Sequence, residues 1–436
     1  MVEVLWVRPM KDSGVEWIGD IPENWDVHFV KYAFSEVKNK NYDGKEKNAL
    51  KFTNGEIVKK ENFKADEDEY IADTILNYTV VNPNTIMING LNLNYDLKSL
   101  RVGIVPERGI ITSAYLALEP DEQKIYPQYA NLLFKGYESK MALHNMGVGI
   151  RLTLGYKEFK RQPILVPPLY EQYKIAGFLK LKCSEIDTVI SKTNVSIEEY
   201  KRLKQSIITK AVTKGIRGDR PMKDSGIEWV GEIPNGVPVS RVGLHFDIIL
   251  GKMVCSKLGS DDMKMFPYIC AADVHFDGVN TENLKEMYFT DDEMQTYSVR
   301  NGDLLVVEGG AGAGGAAVAK NINMKIGIQN SILIVREKEN NRAGYLAYWL
   351  QSLVKRKYID VVCNKATIPH YTKDKLANTP YIVFSAEEQG EIAEYLDSKC
   401  NEIDNIITKK QQLISELEAY KKSLIYEYVT GKKEVV

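Results

Sequence analysis

Two long stretches dominate the pattern of apolar and polar positions. In the first, Leu179, Ile186, Thr193, Tyr200 and Ile207 recur every seven residues, with Ala176, Cys183, Ile190, Ile197, Lys204 and Ala211 in the partner row. The same rows return near the C-terminus as Leu396, Ile403, Lys410, Leu417 and Leu424 beside Ala393, Cys400, Ile407, Ile414, Lys421 and Tyr428. Heptads sustained this long predict coiled-coil helices, each a rod of roughly 60 Å at 1.5 Å per residue. Ahead of each helix the pattern is shorter. NTIMI, RVGIV, GDLLVV and NSILIV are apolar runs bounded by Gly, Asn or Asp and predict strands. Tyr129, Leu132 and Leu133, and later Leu346, Trp349, Leu350 and Leu353, have the spacing of core-facing helices near 126–143 and 343–359.

The chain is an internal duplication. Residues 8–22, RPMKDSGVEWIGDIP, return at 220–234 as RPMKDSGIEWVGEIP, with twelve of fifteen positions identical at an offset of 212. EQYKIAGFLKLKCSEIDTVI (171–190) returns as EQGEIAEYLDSKCNEIDNII (388–407) at an offset of 217. Between these blocks similarity is weak, although TIMI (85–88) lies on DLLV (303–306) and Pro163 on Pro380. Each unit therefore has a shared head, a variable body and a shared helical tail, and the two bodies are nearly equal in length.

The predicted fold class is α+β: two mixed α/β domains in pseudo-twofold tandem repeat, separated by two long antiparallel coiled-coil helices. The expected boundaries are 1–166 for the first domain, 167–217 for the central helix, 218–383 for the second domain and 384–436 for the C-terminal helix. The core of the rod should be Leu179, Ile186, Ile190, Ile197, Tyr200 and Ile207 against Leu396, Ile403, Ile407, Ile414, Leu417 and Leu424. Two copies of one unit in one chain imitate a homodimer. Antiparallel helices would hold the bodies at opposite ends of the rod and keep Cys183 far from Cys400, beyond the ~7 Å Cα separation that a disulfide tolerates.

Composition narrows the class. The chain has 436 residues, 44% hydrophobic and 27% charged, enough apolar material for more than one core. No apolar run approaches the roughly 18 residues that span a bilayer, and the first residues lack a signal-peptide pattern. Five scattered cysteines (183, 255, 270, 363, 400) suit a reducing cytoplasm better than a disulfide scaffold. The net charge of −2 excludes a uniformly basic protein but not a locally basic face.

The catalytic motifs are weak. Gly310–Gly315 fits GxGxxG after a strand, but the segment that follows is too short for the crossover helix of a dinucleotide site. A loop able to bring its backbone close to a ligand or DNA is the better reading. Pro120-Asp121 with Glu138 and Lys140 imitates a nuclease pattern, yet Glu138 and Lys140 fall in a predicted helix and the second unit has no counterpart. There is no CxxC or HxxxH, and Cys270 with His275 lacks further ligands, so no metal site is expected. Asn82-Pro83-Asn84 lacks the second proline and the aromatic residue with which a methyltransferase stacks a flipped base.

Recognition remains. Residues 139–161 carry Lys140, Arg151, Lys157, Lys160 and Arg161 against Glu158, and residues 355–375 carry Lys355, Arg356, Lys357, Lys365, Lys373 and Lys375 against Asp360 and Asp374. Each segment is net +4, and the two occupy corresponding places in the repeat. Two separated basic surfaces suit a protein that reads two half-sites of duplex DNA. Arg, Lys, Asn and Gln read base edges. The candidates are Asn89, Asn92, Asn94, Lys98, Arg101, Arg151 and Lys157 in the first unit, and Lys365, Thr367, His370 and Lys373 in the second. Two other readings compete: a pseudo-symmetric coiled-coil scaffold that never reads DNA, and an autonomous nuclease using Asp121, Glu138 and Lys140.

The paired heads MKDSGVEWIGDIP and MKDSGIEWVGEIP, with LVPPLYEQYKIAGFL (165–179) leading into the long helix, resemble the specificity subunits of type I restriction–modification systems over nearly the whole chain. TPYIVFSAEEQGEIAEYL (379–396) is a weaker version, with Phe384-Ser385 where two prolines are typical. The resemblance implies a non-catalytic subunit whose two target-recognition domains each read half of a split DNA site. It implies that the helices set the spacer and dock two modification subunits, which bind S-adenosylmethionine and methylate adenine. Restriction subunits would add ATP- and Mg-dependent translocation and cleavage, and no cofactor is expected on this chain. Arg151, in GVGIRLTLGYKEFK, resembles a segment that lies on DNA in that family, and its counterpart here is Ile368.

Overall fold

A computed structural model describes residues 8–61, 74–93, 100–146, 152–339, 341–363 and 369–435. Along the first body run strands β1 (Phe34–Glu36), β2 (Ile86–Ile88), β3 (Val102–Ile104) and β4 (Leu116–Pro120), then helix α1 (Pro127–Ser139) and the long helix α2 (Leu169–Lys214). The second body repeats the series with β5 (Phe246–Leu250), β6 (Leu304–Val307), β7 (Ala316–Val318), β8 (Ile332–Glu337), α3 (Ala343–Lys355) and the long helix α4 (Ala386–Val429).

The chain divides into two compact units, residues 1–193 with 411–436, and residues 194–410. Each combines one body with the opening part of its own long helix and the closing part of the other. The first unit is built on an antiparallel sheet in the order β1-β4-β2-β3, and the second on β5-β8-β6-β7. These are the same order, reached by sequences that barely align. The flanking pairs repeat as well. Asp26–Phe29 pairs with Pro163–Val166, and Val239–Arg241 with Pro380–Ile382. The shared heads close as Met10–Asp12 on Asp20–Pro22 and Met222–Asp224 on Glu232–Pro234.

One face of each sheet buries its apolar side chains under the short helix. In the first unit Ile86, Ile88 and Leu118 pack with Tyr129, Leu133, Phe134 and Tyr137 of α1. In the second Leu304, Val306 and Leu333 pack with Tyr345, Leu346, Trp349 and Leu350 of α3. A buried tyrosine fastens each body to the end of a long helix. Tyr129 Oη donates to Val429 O at 3.2 Å, and Tyr345 Oη donates to Val212 O at 2.9 Å.

Within each unit the paired helix segments run antiparallel. In the first, Phe178 packs on Tyr428 with centroids 4.6 Å apart, and Asp187 bonds Lys421. In the second, Lys204 bonds Asp404, and Arg217 bonds Glu391. The heptad row is buried at Leu179, Ile186, Ile197, Leu396, Ile403, Ile407 and Leu424, while Ile190, Tyr200, Ile207, Ile414 and Leu417 are partly covered. The row drifts at the end of α2, where Ile208 is fully buried with Ala211 and Val212 against the second body. A strict seven-residue repeat slips by about 20° per heptad on a straight helix, and here the body recruits the face that slippage presents. Both long helices stop at a glycine in the left-handed region, Gly215 (φ 73°) and Gly431 (φ 70°), the usual helix-terminating conformation. All five cysteines are free thiols.

Outside the common frame the bodies differ. The first adds a hairpin, Leu50–Thr53 with Glu56–Lys59, and a pair, Thr79–Val81 with Gly109–Ile111. The second adds a sheet of Lys264–Ile269, Lys285–Phe289 and Gly327–Ile328, and a helix, Asp291–Tyr297, begun by a Thr290–Glu293 capping box.

Candidate nucleic-acid interface

The head of each unit is clamped to its long helix by one carboxylate. Arg8 Nη2 lies 2.6 and 2.7 Å from the two oxygens of Glu171, Trp25 Nε1 donates to Oε2 at 2.8 Å, and Asn24 Nδ2 to Oε1 at 2.7 Å. Burial pushes the Glu171 carboxyl upward, but the bonds from Arg8, Trp25 and Asn24 outweigh it and hold it below the ordinary range. Arg220 and Glu388 repeat the clamp at 2.5 and 3.2 Å, with Gly236 and Val237 where Asn24 and Trp25 stand. The next residue is a glutamine in both units. Gln172 Nε2 donates to Pro167 O, and Gln389 Nε2 to Phe384 O, both at 2.8 Å. These contacts explain why heads and helix starts share sequence: they hold the frame.

The frame presents loops at one end of each sheet. In the second unit Leu250 opposes Leu333 and Val307 opposes Ile332, so β5 and β6 finish where β8 begins. Hydrogen bonds continue outward: Gly251 N to Ile332 O (3.0 Å), Glu308 N to Ser331 O (2.8 Å) and Tyr371 N to Glu308 O. In the first unit Glu36 opposes Leu118, Leu116 opposes Ile88, and Ile88 opposes Val102. The corresponding bonds are Val37 N to Ala117 O and Leu154 N to Gly90 O, both 2.9 Å. Leu93 N to Leu152 O and Gly310 N to Pro369 O also match. The same backbone frame thus carries the loops 37–48, 89–93 and 152–155 in one unit, and 251–263, 308–315 and 369–372 in the other.

Several expected residues lie at this end of their own unit. Asn89 and Asn92 lie in one loop; Asn92 is exposed, with φ 51°. His370 is exposed, bridges backbone to backbone with Gly309, and sets Nδ1 3.1 Å from Glu308 Oε2. Lys375 Nζ donates to His370 O at 2.7 Å. Lys157 and Lys373 are exposed on the short helices Tyr156–Phe159 and Lys373–Ala377 that follow. Asn94, Lys98, Arg151, Lys365 and Thr367 lie outside the described residues.

Arg101 is corrected. It is buried, with Nη1 donating to Asn89 O (3.0 Å) and Leu91 O (2.7 Å). Its guanidinium serves the carbonyls of the loop that carries Asn89 and Asn92, so it shapes that loop from below rather than reaching a base. Its own N–H donates to Glu138 Oε1, and burial pushes the Glu138 carboxyl up to about 7. Lys140 lies over the Tyr426 ring at 4.7 Å and faces the end of α4. Asp121 pairs with Lys124 at 2.7 Å. Asp121, Glu138 and Lys140 therefore have separate partners, and no cluster of metal-ligating side chains occurs among the described residues. The Gly310–Gly315 loop is a bonded turn, with Gly314 N donating to Val307 O at 2.9 Å. A Cβ on Gly314 would meet Ile359 at 2.9 Å.

Two features were missed from the sequence. In the first unit Tyr42 stands 74% exposed in the polar loop NKNYDGKEKN. In the second, GKMVCSKLGS carries exposed apolar side chains at the same sheet end. A lone aromatic or apolar cluster in a stretch rich in Gly, Asn, Ser and Lys is the signal that could have marked both.

A tandem pair of α/β recognition domains on a shared helical frame is the class that this architecture defines. Comparison with known proteins agrees. Residues 247–419 match the family described as "Type I restriction modification DNA specificity domain". The putative type I restriction enzyme MjaX specificity subunit of Methanocaldococcus jannaschii is 24% identical over 434 residues, covering 96% of each chain. The MjaVIII specificity subunit of the same organism is 26% identical over 385 residues, 84% of this chain and 85% of that one. The fold is shared with a chain solved for complex assembly and conformational transition of the type I R-M system (TM-score 0.70, 16% identity, 95% of this chain and 99% of that one). It is also shared with the HsdS subunit from Thermoanaerobacter tengcongensis (TM-score 0.55, 16% identity, 95% and 98%). Over residues 247–419 the chain thus matches the type I specificity domain, and over most of its length it is similar to type I restriction enzyme specificity subunits. Among the described residues no helix is long and apolar enough to cross a membrane.

Proposed function

We propose that this chain is the DNA-reading subunit of a type I restriction–modification complex, in which each body takes one half of a split duplex site with the loops at its sheet end. One observation carries this reading: two bodies keep the same sheet order and the same clamp, yet place different loops on the same frame. Divergent loops on a constant frame are what two different half-sites require, because base edges are read by the side chains that loops present. Exposed Lys157 and Lys373 supply phosphate contacts. On this reading Asn89, Asn92 and His370 meet base edges, and Asn94, Lys98, Arg151, Lys365 and Thr367 are candidates for the same task.

On this reading the chain performs no chemistry. The long helices set the gap between half-sites and dock two modification subunits, which hold S-adenosylmethionine and methylate adenine. Restriction subunits bring ATP and Mg for translocation and cleavage. Five free thiols suit work in the cytoplasm. The test is base-resolution mapping of methyladenine in cells expressing this chain with its modification subunit, beside cells lacking only this chain. A split motif that depends on the chain is expected. Identical methylation in both, with the complex assembled, would overturn the reading.

A further inference from the structure

The loop that leaves β5 is unusual. Met253 is 75% exposed, Val254 51% and Leu258 56%. Exposed apolar side chains are ordinary when scattered, but a cluster within six residues asks for a covering partner. The loop is held at its base and open at its tip. Lys252 N donates to Ile328 O (3.1 Å), Asn330 N to Lys252 O (2.8 Å) and Tyr288 N to Cys255 O (2.9 Å). Lys252 Nζ is tied to Glu293 and to Tyr288 O. The tip carries a local bond, Cys255 Sγ to Lys257 O at 3.3 Å, and it leaves Met253, Val254 and Leu258 exposed beside the exposed cation Lys257.

Its place decides the occupant. The chain of backbone bonds from Gly251 through Ile332 and Ser331 to Glu308 and Tyr371 sets this loop beside the Gly310 turn and His370, at the sheet end assigned above to DNA. Methionine, valine and leucine offer a base edge no hydrogen bond. They offer contact with the C5-methyl group of thymine in the major groove, which none of the other three standard bases carries there.

We infer that the Met253–Leu258 loop is a specificity element that reads thymine by apolar contact with its methyl group, within the half-site taken by the second unit. The inference rests on the DNA-reading function proposed above and adds what one of its loops recognises.

The experiment uses the full chain assembled with its modification subunit, and duplexes carrying the split motif found by methyladenine mapping. Each thymine of the second unit's half-site is replaced in turn by uracil, which removes only the methyl. At one or more positions binding should weaken about fourfold, the worth of one buried methyl group. The M253S and L258S variants should bind thymine and uracil duplexes alike, and mapping should show a loosened preference at that base with the other half-site unchanged. Equal binding of every uracil duplex by the unaltered chain, or a half-site without thymine, overturns the inference. Variants that lose the modification subunit while reading the same motif also overturn it, making the loop a protein-docking surface. Should no chain-dependent motif exist at all, the DNA-reading function itself fails, an outcome distinct from a motif indifferent to thymine methyls.

Discussion

Lys204 Nζ lies 2.6 Å from Asp404 Oδ2, and the same ion pair recurs at 2.6 Å between Lys421 and Asp187, with both positions shifted by 217 and the two helices exchanged. In each unit the closing part of one long helix brings the lysine and the opening part of the other brings the aspartate. The pair thus marks helix register, and it does so twice. The lysine side chains are 24% and 30% exposed and the aspartates 51% and 56%, so solvent screens both pairs. Exposed pairs are worth about 0–1 kcal/mol. K204A and D404A should each cost less than about 1 kcal/mol, with a coupling of roughly 0.5 kcal/mol in a double-mutant cycle followed by urea unfolding. Reversing the pair as K204D with D404K should recover most of the loss. A coupling above about 2 kcal/mol would show that the pair carries stability and not only register.

Glu171 makes a stronger claim. It gathers donors from Arg8, Asn24 and Trp25, and it is largely buried. Hydrogen bonds to a charged partner contribute about 1.5–3 kcal/mol each, and removing the charge weakens all of them together. E171Q should therefore destabilise the first unit by about 1–3 kcal/mol, and E388Q should cost the second less, because Gly236 and Val237 replace two donors. The pH dependence has a definite sign. The folded-state pKa is lowered, so its stabilisation is complete above the ordinary glutamate value near 4.3 and is lost as pH falls through the depressed value. Acid unfolding of E171Q should lack that contribution. A variant as acid-sensitive as the unaltered chain would contradict this.

Glu138 behaves in the opposite way. Its carboxyl is buried on α1, with Oε1 accepting from Arg101 N, and burial raises it to about 7. The folded chain then holds a proton that the unfolded chain releases near pH 4.5. Stability should fall as pH rises from about 4.5 to 7 and level off above. E138Q, with no charge to desolvate, should flatten that slope and be the more stable protein at pH 8, by up to about 3 kcal/mol. Thermal unfolding of both proteins between pH 5 and 8 checks this, and parallel profiles would sink it.

Much of this architecture was legible in the sequence because its frame is local and repeated. The heads, the Glu-Gln pair at each helix start and the heptad rows recur since each unit needs the same clamp. The likeness of the two bodies was nearly invisible. Tyr129 and Tyr345 do the same job, binding the end of a long helix, but stand among unrelated neighbours at an offset of 216. Strands of three to six residues give too few positions for an alignment, and sheet order depends on backbone bonds that many apolar sequences satisfy. Arg101 was misplaced for a related reason. A charge in a polar stretch reads as surface, and only the fold reveals that it is buried under the carbonyls of Asn89 and Leu91. Ile208 displaced Ile207 from the core because the body, not the heptad, decides the last turns of α2.

The long helices offer the last prediction. Deleting residues 194–200 and 411–417 removes one heptad from each helix at repeat-equivalent places, and spares Asp187, Lys204, Asp404 and Lys421. Each helix shortens by about 10.5 Å, the length of roughly three base pairs. If the helices set the gap, the methylated motif should keep both half-sites and lose up to about three base pairs between them. Affinity should fall as well, since DNA turns once per about 10.5 base pairs and a shorter gap rotates one half-site about the duplex axis. Seven residues are almost two full helical turns, so the protein rotates by only about 20° and does not compensate. Methyladenine mapping with the deleted chain reads all three quantities. An altered half-site with an unaltered gap would show that the helices do not measure the DNA.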